Sequence, residues 1–323
     1  MSLNFALTGV AGYIAPRHLR AIRDTGHRLV AAADPHDSVG LLDQFGFDVR
    51  YFPEIERFDR HLEKLKRGPA DQRVHYLTVC SPTYLHDAHC RLGLRVGADV
   101  ICEKPLVINP WNLDPLQDLE HETGRRIYTV LQLRCHPRLL ALRQLLAAER
   151  AGPQHEVSLT YITPRGAWYH NSWKGAPDKS GGLIVNVGIH IFDLLLWLFG
   201  PSLDFRVHLS DPRRAAGFIE FERARVRWFL SLETADLPPG AAAAHRALTL
   251  DGDPVEFSDG FTDLHTRAYA AILDGRGLGL ADARPAIQLA HALRHAPIAP
   301  DAALAHPALH GEALAPVSSP APS

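Results

Sequence analysis

The sequence predicts an α/β protein of two domains: a doubly wound parallel sheet first, then an α+β domain with a large, mostly antiparallel sheet. Three observations carry this. In the first third of the chain, short β-rich runs alternate with helical stretches, the pattern of strand–helix–strand units. In the second half, longer runs alternate apolar and polar residues with few helices between them, the pattern of antiparallel strands with one buried face. A glycine-containing turn directly follows the first strand and opens a helix, where doubly wound folds hold a dinucleotide.

The elements follow in order. "LNFALTG" reads as a strand and "GYIAPRHLRAIRDTG" as a helix, with Pro16 tolerated in its first turn. "RLVAAADP" is a second strand, "DSVGLLDQFG" helical, "DVRYF" a strand and "EIERFDRHLEKLKRG" an amphipathic helix. "VHYLTVCSP" and "DVICEKP" are strands around the helical "YLHDAHCRLGLRVG"; "PWNLDPLQDLEHETG" and the strand-like "RIYTVLQLR" complete the first domain, residues 1–133. The second domain, 134–298, holds the strands "HEVSLTYITPRG", "DFRVHLS", "AAGFIEFER" and "RVRWFLSLET" and closes with helical "FTDLHTRAYAAILDG" and "ADARPAIQLAHALRHA". The Ala/Pro-rich residues 299–323 read as a flexible tail.

A formal net charge of −2 without a basic block gives no electrostatic support for nucleic-acid or membrane-surface binding. The N-terminus lacks a signal-peptide pattern. The four cysteines show no metal-type spacing, so the expectation is a cytoplasmic protein without a metal site. Only five of the 34 basic residues are lysines. A retained lysine in so arginine-rich a chain points to a need for an ammonium, because the two cations are not interchangeable.

Gly9 and Ala11 fit the first two positions of a dinucleotide fingerprint, Gly12 lies within the turn, and Ile14 takes the usual third small position. In such a turn the backbone amides and the helix N-terminus hold a pyrophosphate. Asp34 ends the second strand at the usual distance for a carboxylate on the adenosine ribose, and no arginine follows it at once. That reading favours NAD over NADP; the bland alternative is a turn or cap aspartate. Lys104, in "CEKP", stands at the C-terminal end of the fifth strand, where ligands of these folds bind. A cationic nicotinamide beside it would lower its proton affinity.

"SGGLIVNVGIHIFDLLLWLFG" reads as one apolar helix carrying Asn186, His190 and Asp193, residues whose spacing puts them on one stripe. They are either a satisfied core cluster or a site. Just before them, "TPRGAWYHNSWKGAPDKSGG" offers Arg165, Lys174 and Lys179 with Trp168, Tyr169, Ser172 and Trp173. Cations and planar rings suit a nucleotide-sugar. Gly181 and Gly182 would admit a ligand and present the following helix N-terminus to an anion.

Together, "GVAGYIAPRHLRAI", "SPTYLH", "VICEKPLVINPWNLD", "YITPRGAWYHNSWKG", "NVGIHIFD" and "EFSDGFTDLHT" resemble the Gfo/Idh/MocA family of sugar-handling oxidoreductases. Within it they are most similar to UDP-N-acetylglucosaminuronate 3-dehydrogenases of the WlbA/WbpB type, which serve bacterial surface-polysaccharide (O-antigen) pathways. The resemblance implies an N-terminal Rossmann domain that binds NAD through Gly9, Ala11, Gly12, Tyr13, Ile14, Asp34, Ser81, Leu85, His86, Glu103, Lys104 and Gln132. It implies that Lys104 and His190 contact the hydroxyl being oxidised, with Asn186 beside them; many members carry Asp at that position, so a carboxylate relay through residue 186 is not assumed. Asp193 could then orient the imidazole. Arg165 through Lys179, with Asn186, His190 and Asp193, form the implied UDP-sugar site; Arg134 and His136 are weaker candidates. Rival readings are a dehydrogenase of a free sugar or cyclitol, and a non-catalytic NAD-binding sensor. Apolar residues on both faces of the antiparallel sheet (Ile219, Phe221 and Trp228 against Phe218 and Phe229) point to a homo-oligomer, a tetramer by resemblance.

Overall fold

A computed structural model describes residues 2–46, 48–149, 154–241, 244–257 and 260–310. The chain divides into two compact units: Met1–Cys135 with Phe261–Ile287, and His136–Gly260 with Gln288–Ser323.

The first unit begins β1 (Asn4–Thr8), α1 (Ala15–Asp24), β2 (Arg28–Ala33), β3 (Arg50–Phe52) and α2 (Ile55–Arg67). It continues through β4 (Tyr76–Val79), α3 (His86–Arg95), β5 (Asp99–Cys102), α4 (Leu113–Thr123) and β6 (Ile127–Thr129). The six strands form one parallel sheet in the order β3-β2-β1-β4-β5-β6. All five residues of β1 are buried, as expected of a strand covered on both faces. Helix α2 buries Phe58 and Leu62, one turn apart, and leaves its charged face to solvent.

The second unit comprises α5 (Pro137–Ala148), β7 (His155–Ile162), α6 (Ala167–Asn171), α7 (Pro177–Ser180), α8 (Gly182–Asn186) and α9 (Ile189–Phe199). Strands β8 (Ser202–Ser210), β9 (Arg214–Phe221), β10 (Ala224–Ser231), β11 (His245–Leu250) and β12 (Asp253–Pro254) follow. Its sheet runs β12-β11-β7-β10-β9-β8 and is antiparallel except between β7 and β10. Trp228 of β10 is fully buried edge-on against Phe192 of α9, at 5.3 Å between centroids. Burying one such aromatic is worth about 1.5–3 kcal/mol.

Several sequence expectations change. Residues 261–287, assigned to the second domain, return to the first unit: α10 (Leu264–Leu273) inserts Tyr269, fully buried, among Phe5, Leu7, Leu19 and Ile22. The last helix, α11 (Leu280–His295), spans the division. Residues 40–45 form a 3-10 rather than an α-helix, closed by Gly46 at φ 67°. Helix α5 and strands β11 and β12 were not foreseen. The "EFSDGF" segment includes Ser258 and Asp259, which lie outside the described residues, as do 311–323 of the tail.

The rest of the tail is packed, not free. His306 is 1% exposed; its ring stacks on Phe229 and its Nε2 lies 3.2 Å from the hydroxyls of Ser158 and Thr160. Ala308 and Leu309 join the same apolar cluster with Ile162 and Ala216. So the second face of the sheet, expected to await a partner, is partly covered by the protomer's own chain, and Phe218 lies beneath the Arg225 guanidinium.

Candidate functional site

In the first unit, the ends of β1, β4 and β5 are neighbours along one edge of the sheet. The Gly9 turn, the Ser81 turn and Glu103–Lys104 therefore share that edge. Gly9 has φ +82°, and a Cβ there would stand 2.5 Å from the backbone of Cys80 and Ser81, so only glycine permits this approach. Gly12 donates its N–H to Gly9 O at 3.1 Å. Helix α1 starts after Ile14 with no side-chain cap and no acidic residue in its first turn. The N–H groups of Ala15 and Arg17 are bonded to Gly12 O and Ile14 O and Pro16 has none, so the helix start offers a phosphate its positive dipole end. Tyr13 is 87% exposed at the tip of this turn. These features fit a dinucleotide pyrophosphate.

Asp34 carries a second duty. One carboxylate oxygen accepts the N–H of Ala11 at 3.0 Å and the other that of His36 at 2.9 Å. It thus ties the glycine turn to the end of β2, and each oxygen keeps lone-pair capacity for a ribose hydroxyl. Ser81 Oγ lies 2.8 Å from His89 Nδ1. His86 is buried, with Nδ1 2.8 Å from Pro105 O and Nε2 2.9 Å from Ser81 O. It staples the Ser81 turn to the segment after Lys104. Burial lowers its proton affinity, although both carbonyls oppose that shift. Leu85 closes the short 3-10 turn before α3, and Gln132 starts a half-buried 3-10 turn after β6. Glu103, expected against the cofactor, turns inward to His18 and His265. Arg134 is engaged by Asp282, with Nη1 3.8 Å from its carboxylate.

In the second unit the apolar helix is broken. The helical segment Pro177–Asn186 and α9 meet at 44°. At the break, a Cβ on Gly188 would lie 2.4 Å from Ile184 O and 2.6 Å from Phe192; only the missing side chain lets the turn sit on the core. Asn186 and His190 therefore lie on different helices, not on one continuous stripe. His190 sits in the first turn of α9, half-buried, and Asn186 Nδ2 donates to Tyr169 Oη at 2.6 Å. Asp193 is buried, 1% exposed.

The aromatic–cationic loop divides by burial. Tyr169 is buried, and burial raises its phenol pKa against the opposing Asn186 hydrogen bond; it props Asn186 and does not present its ring. Trp168 is 60% exposed. Lys174 Nζ stands 4.2 Å from the Trp173 ring centroid and 6.0 Å from that of Trp168, a cation–π arrangement. Arg165 and Lys179 are exposed. Ser172 is spent on the loop itself: its hydroxyl donates to Tyr169 O and accepts Lys174 N–H. Helix α8 has five residues, too few for the anion-binding terminus expected there. Gly181 (φ +80°) packs on Val185, while Gly182 has open space around it, room for a ligand. His136 is buried against Phe257.

His18, His265 and Tyr269, which lie behind Lys104, escaped sequence reasoning. Each reads alone as an ordinary helix residue; only the return of α10 brings them to Glu103.

Comparison with known proteins places this geometry. Residues 3–131 match the oxidoreductase family described as GFO_IDH_MocA, NAD-binding Rossmann fold, and residues 139–228 its C-terminal domain. A WlbA (WbpB) dehydrogenase from Thermus thermophilus, solved with NAD and alpha-ketoglutarate, is 49% identical, with TM-score 0.90, over 94% of this chain and 99% of that one. A second structure of that enzyme holds NAD and UDP-GlcNAcA. WlbA from Bordetella pertussis, at 19% identity over 90% and 94% of the two chains with TM-score 0.75, shares the fold. Inositol 2-dehydrogenase of Rhizobium meliloti is 27% identical over 62% of this chain and 56% of its own. The chain spans about half the length of the curated relatives it matches. With the Thermus thermophilus dehydrogenase matched over 94% of this chain at 49% identity and both family domains present in order, the chain belongs to the Gfo/Idh/MocA family of oxidoreductases.

Proposed function

We propose that the protein is an NAD-dependent dehydrogenase that oxidises the sugar 3-hydroxyl of UDP-N-acetyl-2-amino-2-deoxy-D-glucuronate to the 3-keto sugar, in bacterial O-antigen biosynthesis. The observation that carries it is the shared sheet edge: the Gly9 cradle and uncapped α1 after β1, the Ser81 turn after β4 and Lys104 after β5 follow three adjacent strands. The loop of Arg165, Trp168, Trp173, Lys174 and Lys179 supports a nucleotide-sugar over a neutral sugar or cyclitol, which needs no cation cluster. Lys104 and His190 are both retained, which disfavours a non-catalytic sensor.

When bound, NAD supplies the hydride acceptor for the sugar C3. His190 takes the hydroxyl proton as general base. Lys104 donates a hydrogen bond to the developing alkoxide. Asn186, held by Tyr169, positions rather than titrates. Lys174 and the flanking indoles meet the diphosphate and uracil. The test is purified protein with NAD and the UDP-sugar, with and without 2-oxoglutarate, followed by product mass. A product 2 Da lighter supports the reading, and a requirement for 2-oxoglutarate shows reoxidation of the cofactor in place. No mass change, with turnover of inositol instead, favours the cyclitol reading.

Asp34 supports NAD over NADP, because a 2′-phosphate would meet its carboxylate. Titration should show tighter binding of NAD, and an Asp34→Ser, Pro35→Arg variant should move the preference toward NADP; equal affinity in the native protein would contradict the assignment. The assembly proposed is a cytoplasmic homotetramer. Beyond the area covered by His306, the outer sheet face keeps an ionic patch in which Glu156 bridges Arg225 and Arg227. Light scattering at micromolar concentration should give four protomers; a monomer refutes it. Among the described residues no single helix is long and apolar enough to cross a membrane.

A further inference from the structure

Glu103 immediately precedes Lys104 and is 6% exposed. Its Oε1 lies 2.8 Å from His18 Nε2 and 3.1 Å from His265 Nε2, and its Oε2 accepts the N–H of Lys104 itself at 3.1 Å. His18 Nδ1 lies 2.8 Å from Tyr269 Oη, which lies 3.0 Å from Thr78 Oγ1. One proton order satisfies this chain: Thr78 donates to Tyr269, Tyr269 to His18 Nδ1, and both imidazoles donate Nε2–H to Glu103. His18 is then neutral, and Glu103 is the carboxylate that accepts from both rings.

The proton affinities agree. Burial alone would raise that of Glu103, but the bonds from His18 and His265 outweigh it and hold the carboxyl well below its usual range. Burial lowers that of His18 against the opposing pull of Glu103. The other groups around the carboxylate do not neutralise it: Cys80, Cys102 and Tyr269 are held as neutral acids by burial, and burial disfavours the cation of His86. Arg17 acts on His18 from the same helix.

We propose that the His18–Glu103–His265 cluster, backed by Tyr269, is a positioning device for Lys104. The carboxylate pins the main chain of residue 104 at the end of β5. It also sets a buried negative charge one residue from the ammonium, which keeps Lys104 protonated beside a cationic nicotinamide. Lys104 is thereby a donor to the alkoxide, and the base role falls to His190. This rests on the dehydrogenase reading. Two histidines and a glutamate can also hold a divalent ion. The 2.8 and 3.1 Å separations are hydrogen-bond lengths, however, with N–H groups filling the space an ion would need.

The test uses reductive [13C]methylation of the intact protein, in which the five lysines give resolvable dimethylamine signals. In Glu103→Gln the titration midpoint of Lys104 should fall by about one unit, as expected on removing a close opposite charge, while the other four lysines stay put. With NAD and the UDP-sugar, kcat should fall roughly tenfold, with KM within about threefold, and the alkaline limb of the pH profile should move the same way. Glu103→Asp, which keeps the charge but shortens the reach, should hold the Lys104 midpoint while lowering kcat; it tests the same point if the Gln variant does not fold. An unchanged Lys104 midpoint in Glu103→Gln, an unchanged kcat in Glu103→Asp, or one equivalent of divalent metal in the purified protein would each overturn the proposal. The NMR readout needs no substrate, so it stands apart from failure of the UDP-sugar assignment.

Discussion

Replacing His190 by Asn should slow turnover by about 10²–10⁴-fold, the usual loss when a general base is removed. Lys104→Met should cost roughly 10²–10³-fold, by analogy with deletion of one oxyanion donor. Both act mainly in the transition state, so NAD and UDP-sugar dissociation constants should change little, and the loss should appear in kcat. The double variant should lose less than the product of the single losses, because the proposed roles assign both groups to one oxygen. Asn186→Ala should cost less than either, since Asn186 has no titrating group and is held through Tyr169. Single-turnover kinetics on the three variants and the double variant decide the matter. Turnover of His190→Asn within about threefold of wild type would make His190 a satisfied structural residue and leave Lys104 as the base.

The second large effect concerns stability in acid. Burial pushes His306 down to about 4 from 6.5. Its Nδ1 accepts Ala308 N–H at 3.1 Å, so Nε2 carries the proton toward Ser158 and Thr160. A second proton would displace the Ala308 bond and place a charge against the Phe229 ring of β10. The folded pKa lies below the unfolded one, so the unfolded state takes up protons first as pH falls. The stability is fully present above about pH 6.5 and is lost as pH falls toward 4, a loss of about 3 kcal/mol from this group. His306→Gln keeps a donor for the hydroxyls but does not titrate. Urea unfolding at pH 7, 5.5 and 4 should show a loss of stability shallower by about that amount in the variant. His89, also pushed to about 4, and His18 and His86, lowered by burial, act with the same sign in both proteins and cancel in the difference. Parallel stability curves for the two proteins would show that His306 does not seat the C-terminal segment.

The sequence by itself determined what depends on local pattern. Alternation of strands and helices specified the parallel sheet, because each strand must bury both faces under helices. Gly9 was legible because a strand-to-helix turn needs a backbone that a side chain would block. The position of Lys104 just past the end of β5 was legible from the apolar run before it. Alternation in β10 showed that Val226 and Trp228 share a face.

Only the tertiary structure decided what depends on residues distant in the chain. Helical spacing joined Asn186 to His190, but Gly188 must seat against Phe192 and Leu230, and that packing breaks the helix between them. Tyr169 looked like a ring for uracil until burial turned it under Asn186. The Ala/Pro-rich composition of the tail pointed to mobility, yet His306 finds Phe229, Ser158 and Thr160, partners about 75 to 150 residues away that no local window contains. Glu103 shows the division most clearly. Its motif placed it beside the cofactor, but an unpartnered buried carboxylate is too costly to stand alone, and its partners are supplied by α1 and by a helix some 160 residues downstream. Periodicity reports which face of an element is apolar; which element covers that face is settled by long-range packing, and the partners of Glu103 were settled with it.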